Sequence, residues 1–390
     1  MKSLAPGATL GVLGGGQLGL MFVASAQAMG YRTVVWDPSM DSPAGCAADL
    51  HIRQMFSDQA AAVQFASECD AVTLEFENVP VQLVEYLEYE GVPVAPSARA
   101  LCVAQDRITE KTFIRDIGVH TTPFYPIRQV ADIDDAFEHL SPPLILKTAQ
   151  LGYDGKGQYI VDTAEQAISL FNGIGKVPCI VESRLQLSRE ISVILARSQQ
   201  SECHFFPVTE NMHRNGILHL SKVPASVDES IRMQVCESAR RIADALAYHG
   251  VLAVEFFIAK DEITGNGEML LVNEIAPRPH NSGHYTIDAC SSSQFDQQVR
   301  MMCGLPALET QLLRPAVMVN LLGDLWEVDE PNWEILRENP LIELHLYGKN
   351  QARPGRKMGH FCLLGENLNA DMEALQARAE RYHQLLLADA

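Results

Sequence analysis

Two carboxylates stand where a hydrophobic strand would be expected. Glu255 lies inside Val251-Leu252-Ala253-Val254-Glu255-Phe256-Phe257-Ile258, and Asn273-Glu274 closes a second apolar run over 270–275. A lone ionised carboxylate is costly to bury, so a compensating charge is required. The intervening stretch is rich in Thr, Gly and Asn and reads as the turn of a hairpin. If that turn is centred between Thr264 and Gly265, Glu255 faces Glu274 directly across the ladder. Like charges at facing positions destabilise a sheet. A Mg²⁺ ion between them would convert the repulsion into coordination, because this hard ion takes carboxylates together with substrate phosphates. Asn273 adds an oxygen ligand. The competing possibility is that one glutamate is solvated or pairs with an arginine such as Arg278.

Three further groups carry chemistry. Lys147 ends a short apolar run and is followed by Gly152-Tyr153-Asp154-Gly155-Lys156-Gly157-Gln158. Amides free of side-chain bulk can close over a polyphosphate while the lysine supplies a point charge. The stretch is not a G-x-x-x-x-G-K-[ST] P-loop, and a plain hairpin loop is the alternative. Arg353, Arg356 and Lys357 gather three cations around a Pro-Gly turn, enough for one phosphate unless the turn is merely solvated. Ala276-Pro277-Arg278-Pro279-His280-Asn281-Ser282-Gly283-His284 has the polar and proline content of a site-lining loop. No G-x-S-x-G or comparable nucleophile pattern is present.

The elements that must position these groups change along the chain. Residues 9–13, 17–29, 33–36, 59–68 and 71–74 alternate strand and helix patterns, a β-α-β-α-β series that predicts a parallel sheet. Gly14-Gly15-Gly16-Gln17-Leu18-Gly19 lies at the first strand-to-helix turn, with Asp37 ending the next strand. Alone, that fingerprint indicates a dinucleotide site, but it accounts for nothing beyond residue 105. A helix over 107–117 closed by Gly118 follows, then strands at 143–147 and 179–182. Capping boxes are expected at Thr163/Gln166 and Ser226/Glu229; the second opens an amphipathic helix through Ile231, Val235, Ala239, Ile242 and Leu246. Short strands at 316–321 and 341–347 come last. The expected domains are a Rossmann-like unit at 1–106, a central unit at 107–305 with a smaller subdomain near 107–185, and a β-rich unit at 306–390. A chain of 390 residues exceeds one ordinary core. Its net charge of −19 argues against nucleic acid and anionic membranes as partners. Nine scattered cysteines without C-x-x-C spacing argue against a disulfide framework or structural zinc and favour the cytoplasm.

In the order Lys147, glycine loop, Glu255, Glu274, the chain resembles the ATP-grasp superfamily. Together with Glu75-Phe76-Glu77-Asn78-Val79-Pro80, Asn273-Glu274-Ile275 running into the loop to His284, and Arg353-Pro354-Gly355-Arg356-Lys357-Met358-Gly359-His360, it is similar to the 5-(carboxyamino)imidazole ribonucleotide synthase family. It departs from that family at Leu20, where arginine is usual. The resemblance implies an α/β ATP-grasp fold with an N-terminal Rossmann-like domain and a small C-terminal β-rich domain. It further implies an ATP- and Mg²⁺-dependent ligase that carboxylates 5-aminoimidazole ribonucleotide with bicarbonate, as a homodimer. Arg107, Lys147 and the 152–158 loop are expected on the ATP phosphates. Glu182, Ser183, Arg184 and Leu185 are expected on adenine, Glu190 on ribose, and His213, Asn273 and Glu274 lining the nucleotide site. Glu255 and Glu274 would hold Mg²⁺. Tyr153, Asp154, Arg278, His280, Lys349, Arg356 and Lys357 would bind the ribonucleotide, with Arg278 and Lys357 catalytic. The glycine turn near residue 14 would face the substrate side. Another ATP-grasp ligase acting through an acylphosphate, such as a formate-dependent purine enzyme, would share this machinery.

Overall fold

Three sheets, each built by a different local logic, converge on one cleft. The computed structural model describes residues 3–150, 152, 157–260 and 267–389. Tyr153, Asp154, Gly155, Lys156 and the hairpin turn at Thr264-Gly265 lie outside the described residues.

Near the N-terminus, strands Leu50–Ile52, Arg32–Trp36, Thr9–Leu13 and Ala71–Leu74 form a parallel sheet in that order. Strands covered on both faces read as near-continuous apolar runs, and Val12, Val34, Val35, Val72 and Leu74 are buried accordingly. The third strand, Leu50–Ile52, and the short helix Pro43–Ala47 before it were not expected; at three and five residues they are too short to show a period.

The next sheet orders Phe124–Ile127, Cys179–Ser183, Leu144–Thr148 and Gln158–Val161, all antiparallel. Helices Ala131–His139 and Ala164–Gly173 bury Ile133, Ala136, Ala167 and Phe171 against it. At the second helix the Thr163 hydroxyl caps Gln166 N–H, but the Gln166 side chain returns to the Asp162 amide rather than to Thr163.

Among the described residues the central sheet has nine strands. Its order is Glu268–Ala276, Gly250–Lys260, Leu187–Arg197, Thr209–Arg214, Ile217–Val223, Ala316–Leu322, Lys357–Leu364 and Ile342–Leu346, with Cys203–Phe205 also on Leu187–Arg197. The strands after residue 306 therefore extend the central sheet and form none of their own. Sequence reading missed the four strands between 187 and 223. It also missed the helix Met372–Asp389 and read 353–357 as a basic loop, whereas Lys357 already begins a strand.

Helix Glu229–Ala245 packs Val235, Ala239 and Ile242 onto this sheet as the periodicity required. Its cap is Asp228, whose carboxylate accepts Ile231 N–H at 2.8 Å, and not the Ser226 box expected. Asp228 is one residue before the first helical turn, whereas Ser226 is two residues too early to reach its free amides. Helix Gln294–Met302 ties the first sheet to the third. Phe295, Val299 and Met302 join the core of the helix Gln17–Ala28, and Gln298 bonds Thr73, Ala95 and Val251.

Candidate functional site

A cleft of about 510 Å³ opens between the three sheets. On its central-sheet wall, Glu255 pairs in register with Glu274, the arrangement the hairpin reading required. The register then shifts, so that Phe256 faces Val272 and Asn273 is an extra residue on its strand. Such a bulge re-aims neighbouring side chains. Here Asn273 and Glu274 both line the cleft with Glu255. Burial, then the charge of Glu274, pushes the Glu255 carboxyl up to about 7. His280 Nε2 lies 3.3 Å from Glu255 Oε1. Glu274 Oε2 takes Arg107 Nη1 at 3.1 Å, so its cationic partner is Arg107 and not Arg278.

Arg107 opens helix Arg107–Asp116, whose Asp106 cap accepts Thr109 N–H. Its other terminal nitrogen donates to Gly152 O at 3.3 Å, bridging the glycine loop and the acidic pair. Glu110 and Lys111 follow one turn later on the same helix face, and sequence reading missed both. Glu110 accepts Ile275 N–H at 2.6 Å, which fixes the strand residue beside Glu274. Burial first and Glu274 second raise its carboxyl to about 8.

Glu182 is buried between two lysines, with Lys147 Nζ 2.6 Å from Oε2 and Lys111 Nζ 3.3 Å from Oε1. Against the upward pull of burial, Lys111 and then Lys147 bring its carboxyl down to about 2. Its carboxylate is thus committed to the lysines. Lys147 lines the cleft, whereas Glu182, Ser183, Arg184 and Leu185 do not reach its wall. Glu190 and His213 do reach it, with His213 Nδ1 2.8 Å from Glu190 Oε2.

Opposite lies the first sheet's edge. Arg278 directs Nε and Nη2 to Glu77 Oε2, both at 2.6 Å; against burial, that guanidinium holds Glu77 below the usual carboxylate range. Glu75 accepts the amides of Gly16 and, at 2.9 Å, Gly19, while Asp37 accepts Gly15 N–H at 2.8 Å. The amides of the G-x-G-x-x-G turn are therefore occupied by the chain's own carboxylates. The turn does face the cleft through Gln17 and Leu18, but its anion is internal, which removes the basis of the dinucleotide reading. Leu20, at the family's usual arginine position, packs with the apolar cluster around Phe22.

Of the basic turn, Lys357 lines the cleft and Lys349 Nζ donates to Lys357 O at 2.6 Å. Arg356 lies to the first sheet's side, donating to Gln351 O, with its charge felt by Asp41. Arg353 is exposed.

Residues 7–105 match the ribonucleotide synthetase preATP-grasp domain, 112–295 the ATP-grasp domain, and 316–374 the phosphoribosylaminoimidazole carboxylase C-terminal domain. The chain is 42% identical over 359 residues to the N5-carboxyaminoimidazole ribonucleotide synthase of Bacillus subtilis (strain 168), covering 92% of each protein. The Staphylococcus aureus N5-carboxyaminoimidazole synthetase complexed with ADP superposes with a TM-score of 0.88 at 38% identity and 99% coverage of both chains. The Aspergillus clavatus synthase in complex with ADP and 5-aminoimidazole ribonucleotide gives 0.86 at 29% identity, covering 98% of this chain and 99% of that one. With its three matched domains in order and its acidic hairpin set against a strand-end lysine, the chain belongs to the N5-carboxyaminoimidazole ribonucleotide synthase family of ATP-grasp ligases.

Proposed function

We propose that the chain carboxylates 5-aminoimidazole ribonucleotide at the expense of ATP, a C–N ligation in purine biosynthesis. A bicarbonate oxygen attacks the γ-phosphorus and ADP departs, leaving carboxyphosphate. The amine of the ribonucleotide then bonds to the carboxyl carbon as phosphate leaves and a proton is lost. The observation that carries this reading is the meeting, in one cleft, of the Glu255/Glu274 pair with Lys147 and Arg107 on one side and Arg278, His280 and Lys357 on the other.

Each group has a physical task. Lys147 and Arg107 hold the phosphates with the 152–158 loop. The 182–185 segment would take adenine through its backbone, because the Glu182 carboxylate is already bound. Glu190 and His213 would take the ribose side. Glu255 and Glu274 fit Mg²⁺, since one is buried with a raised pKa and the two face each other with Asn273 alongside. When bound, the ion would neutralise charge on the β- and γ-phosphate oxygens. Arg278, oriented by Glu77, and Lys357 would stabilise the carboxyphosphate anion. Tyr153, Asp154, His280, Lys349 and Arg356 complete the ribonucleotide's contacts.

The homodimer and the cytoplasmic setting belong to the same proposal, supported by the family resemblance and by nine cysteines that are all free. No described helix is long and apolar enough to cross a membrane. Phosphate release measured with ATP, Mg²⁺ and bicarbonate tests the assignment. Turnover should need 5-aminoimidazole ribonucleotide, and equal release without it would overturn the assignment.

A further inference from the structure

A polar row crosses the central sheet where apolar side chains would pack more cheaply. Ser192 pairs in register with Glu255, and Asn211 with Ser221. Ser192, Ser221 and Ser282 are fully buried. Buried hydroxyls and amides persist where hydrogen bonds satisfy them, and these form one connected series. The Ser221 hydroxyl donates to Asn211 Oδ1 at 2.8 Å, and Asn211 Nδ2 donates to Ser192 Oγ at 2.9 Å. Ser192 Oγ lies 2.8 Å from Ser282 Oγ, which lies 2.9 Å from His280 Nδ1. The other ring nitrogen, Nε2, is 3.3 Å from Glu255 Oε1 in the cleft.

With the Asn211 amide nitrogen placed toward Ser192 and its oxygen toward Ser221, counting donors and acceptors sets the direction of the series. The Asn211 amide nitrogen can only donate, so Ser192 accepts there and passes its own proton to Ser282. Ser282 in turn donates to His280 Nδ1. The Ser282 backbone N–H, 3.3 Å away, shares the same single lone pair as a longer contact of the same sense. A neutral imidazole that accepts at Nδ1 carries its proton on Nε2. The opposite tautomer would leave the Ser192 proton and the Ser282 amide without acceptors in a buried site, and would turn a lone pair toward the cleft.

We infer that Ser282, Ser192 and Asn211 are positioning residues that lock His280 in the tautomer whose Nε2–H donates into the cleft. The acceptor is Glu255 in the resting protein and an oxygen of the carboxyl group during its transfer. The identity of that second acceptor rests on the carboxylation reading; the tautomer does not. Outer hydrogen bonds of this kind orient a side chain that itself touches the reacting groups.

Nitrogen-15 NMR of histidine-labelled protein, with His280→Gln to identify the signals, reads the tautomer directly. Wild type should show the proton on Nε2. Ser192→Ala should mix the tautomers and lower kcat for phosphate release by about tenfold, with the KM for ATP within about twofold of wild type. Ser192→Thr keeps the hydroxyl in a strand that favours β-branched residues and should restore both. A proton on Nδ1 in wild type, or an unchanged tautomer in Ser192→Ala whether or not turnover falls, overturns the inference. If Ser192→Ala does not fold, Ser282→Ala is judged by the same two readouts. Wild-type phosphate release that ignores 5-aminoimidazole ribonucleotide would remove the carboxylation reading, while the tautomer stands or falls on its spectrum.

Discussion

Glu182→Gln isolates the buried charge cluster behind the proposed nucleotide site. The wild-type carboxylate lies between Lys111 and Lys147, and the three side chains are at most 7% exposed. Its carboxyl falls from an ordinary 4.5 to about 2, and at about 1.4 kcal/mol per unit this corresponds to about 3 kcal/mol of stabilisation. Removing one partner of a buried ion pair costs about 3 to 5 kcal/mol by general experience, so the two routes agree. At an unfolding entropy of about 2.1 cal/mol/K per residue, a 390-residue chain shifts by about 1.2 °C per kcal/mol, so the melting temperature should drop by roughly 4 °C at pH 7. A carboxyl whose folded pKa is depressed stabilises the fold above its unfolded pKa, and that contribution fades as pH falls toward the folded value. The gap between wild type and variant should therefore be constant above about pH 5 and narrow as pH falls from there toward about 2. Thermal melts over a pH series measure both. A variant that melts within about 1 °C of wild type at pH 7, against the fall worked out above, would refute the view that Glu182 holds the two lysines.

Glu274→Gln should leave the fold intact and lower turnover by well over tenfold, because the phosphates lose a charged metal ligand and Arg107 loses its partner; retention of more than about a tenth of wild-type turnover by both this variant and Glu255→Gln would exclude the metal role. Arg356→Ala should weaken the apparent affinity for 5-aminoimidazole ribonucleotide by roughly 10- to 100-fold with ATP affinity little changed, and Arg356→Lys should restore only part, because it lacks the planar fork; equal losses for both substrates in titrations would contradict this. ATP with Mg²⁺ should raise the melting temperature, whereas NAD should not, because Glu75 and Asp37 already fill the glycine-turn amides; a shift with NAD and none with ATP would reverse the assignment.

Residues with a strong local pattern were legible before any coordinates. The first strands and helices fell within a residue or two of their observed bounds because fully apolar runs and 3.6-residue periods are local signals. The Glu255–Glu274 pairing was expected from a turn centred between 264 and 265, but the ladder nearer the turn pairs Phe256 with Val272 and Lys260 with Glu268, one residue off that register, and the bulge at Asn273 is what brings Glu274 opposite Glu255. The strands between 187 and 223 were not legible because their faces mix buried polar residues such as Ser192 and Asn211 with apolar ones, blurring the two-residue alternation. Glu110 and Lys111 carried a usable signal, since they follow Arg107 by three and four residues on one helix face. Charged residues on a helix are usually solvated, however, and only Glu182 opposite Lys111 and the Ile275 amide opposite Glu110 show why these are inside. The partnership of Glu75 with Gly16 and Gly19 spans more than fifty residues. No short-range pattern could distinguish that internally filled turn from one awaiting a dinucleotide.

The central claim, transfer of a carboxyl group through carboxyphosphate, is tested most directly with ¹⁸O-labelled bicarbonate. The oxygen that attacks the γ-phosphorus stays with phosphorus when the carboxyl carbon passes to the amine. Mass spectrometry of the released phosphate in the presence of ATP, Mg²⁺ and 5-aminoimidazole ribonucleotide should therefore find one ¹⁸O atom per phosphate. Unlabelled phosphate formed at the full rate of turnover would mean that water, not bicarbonate, attacks ATP in this cleft.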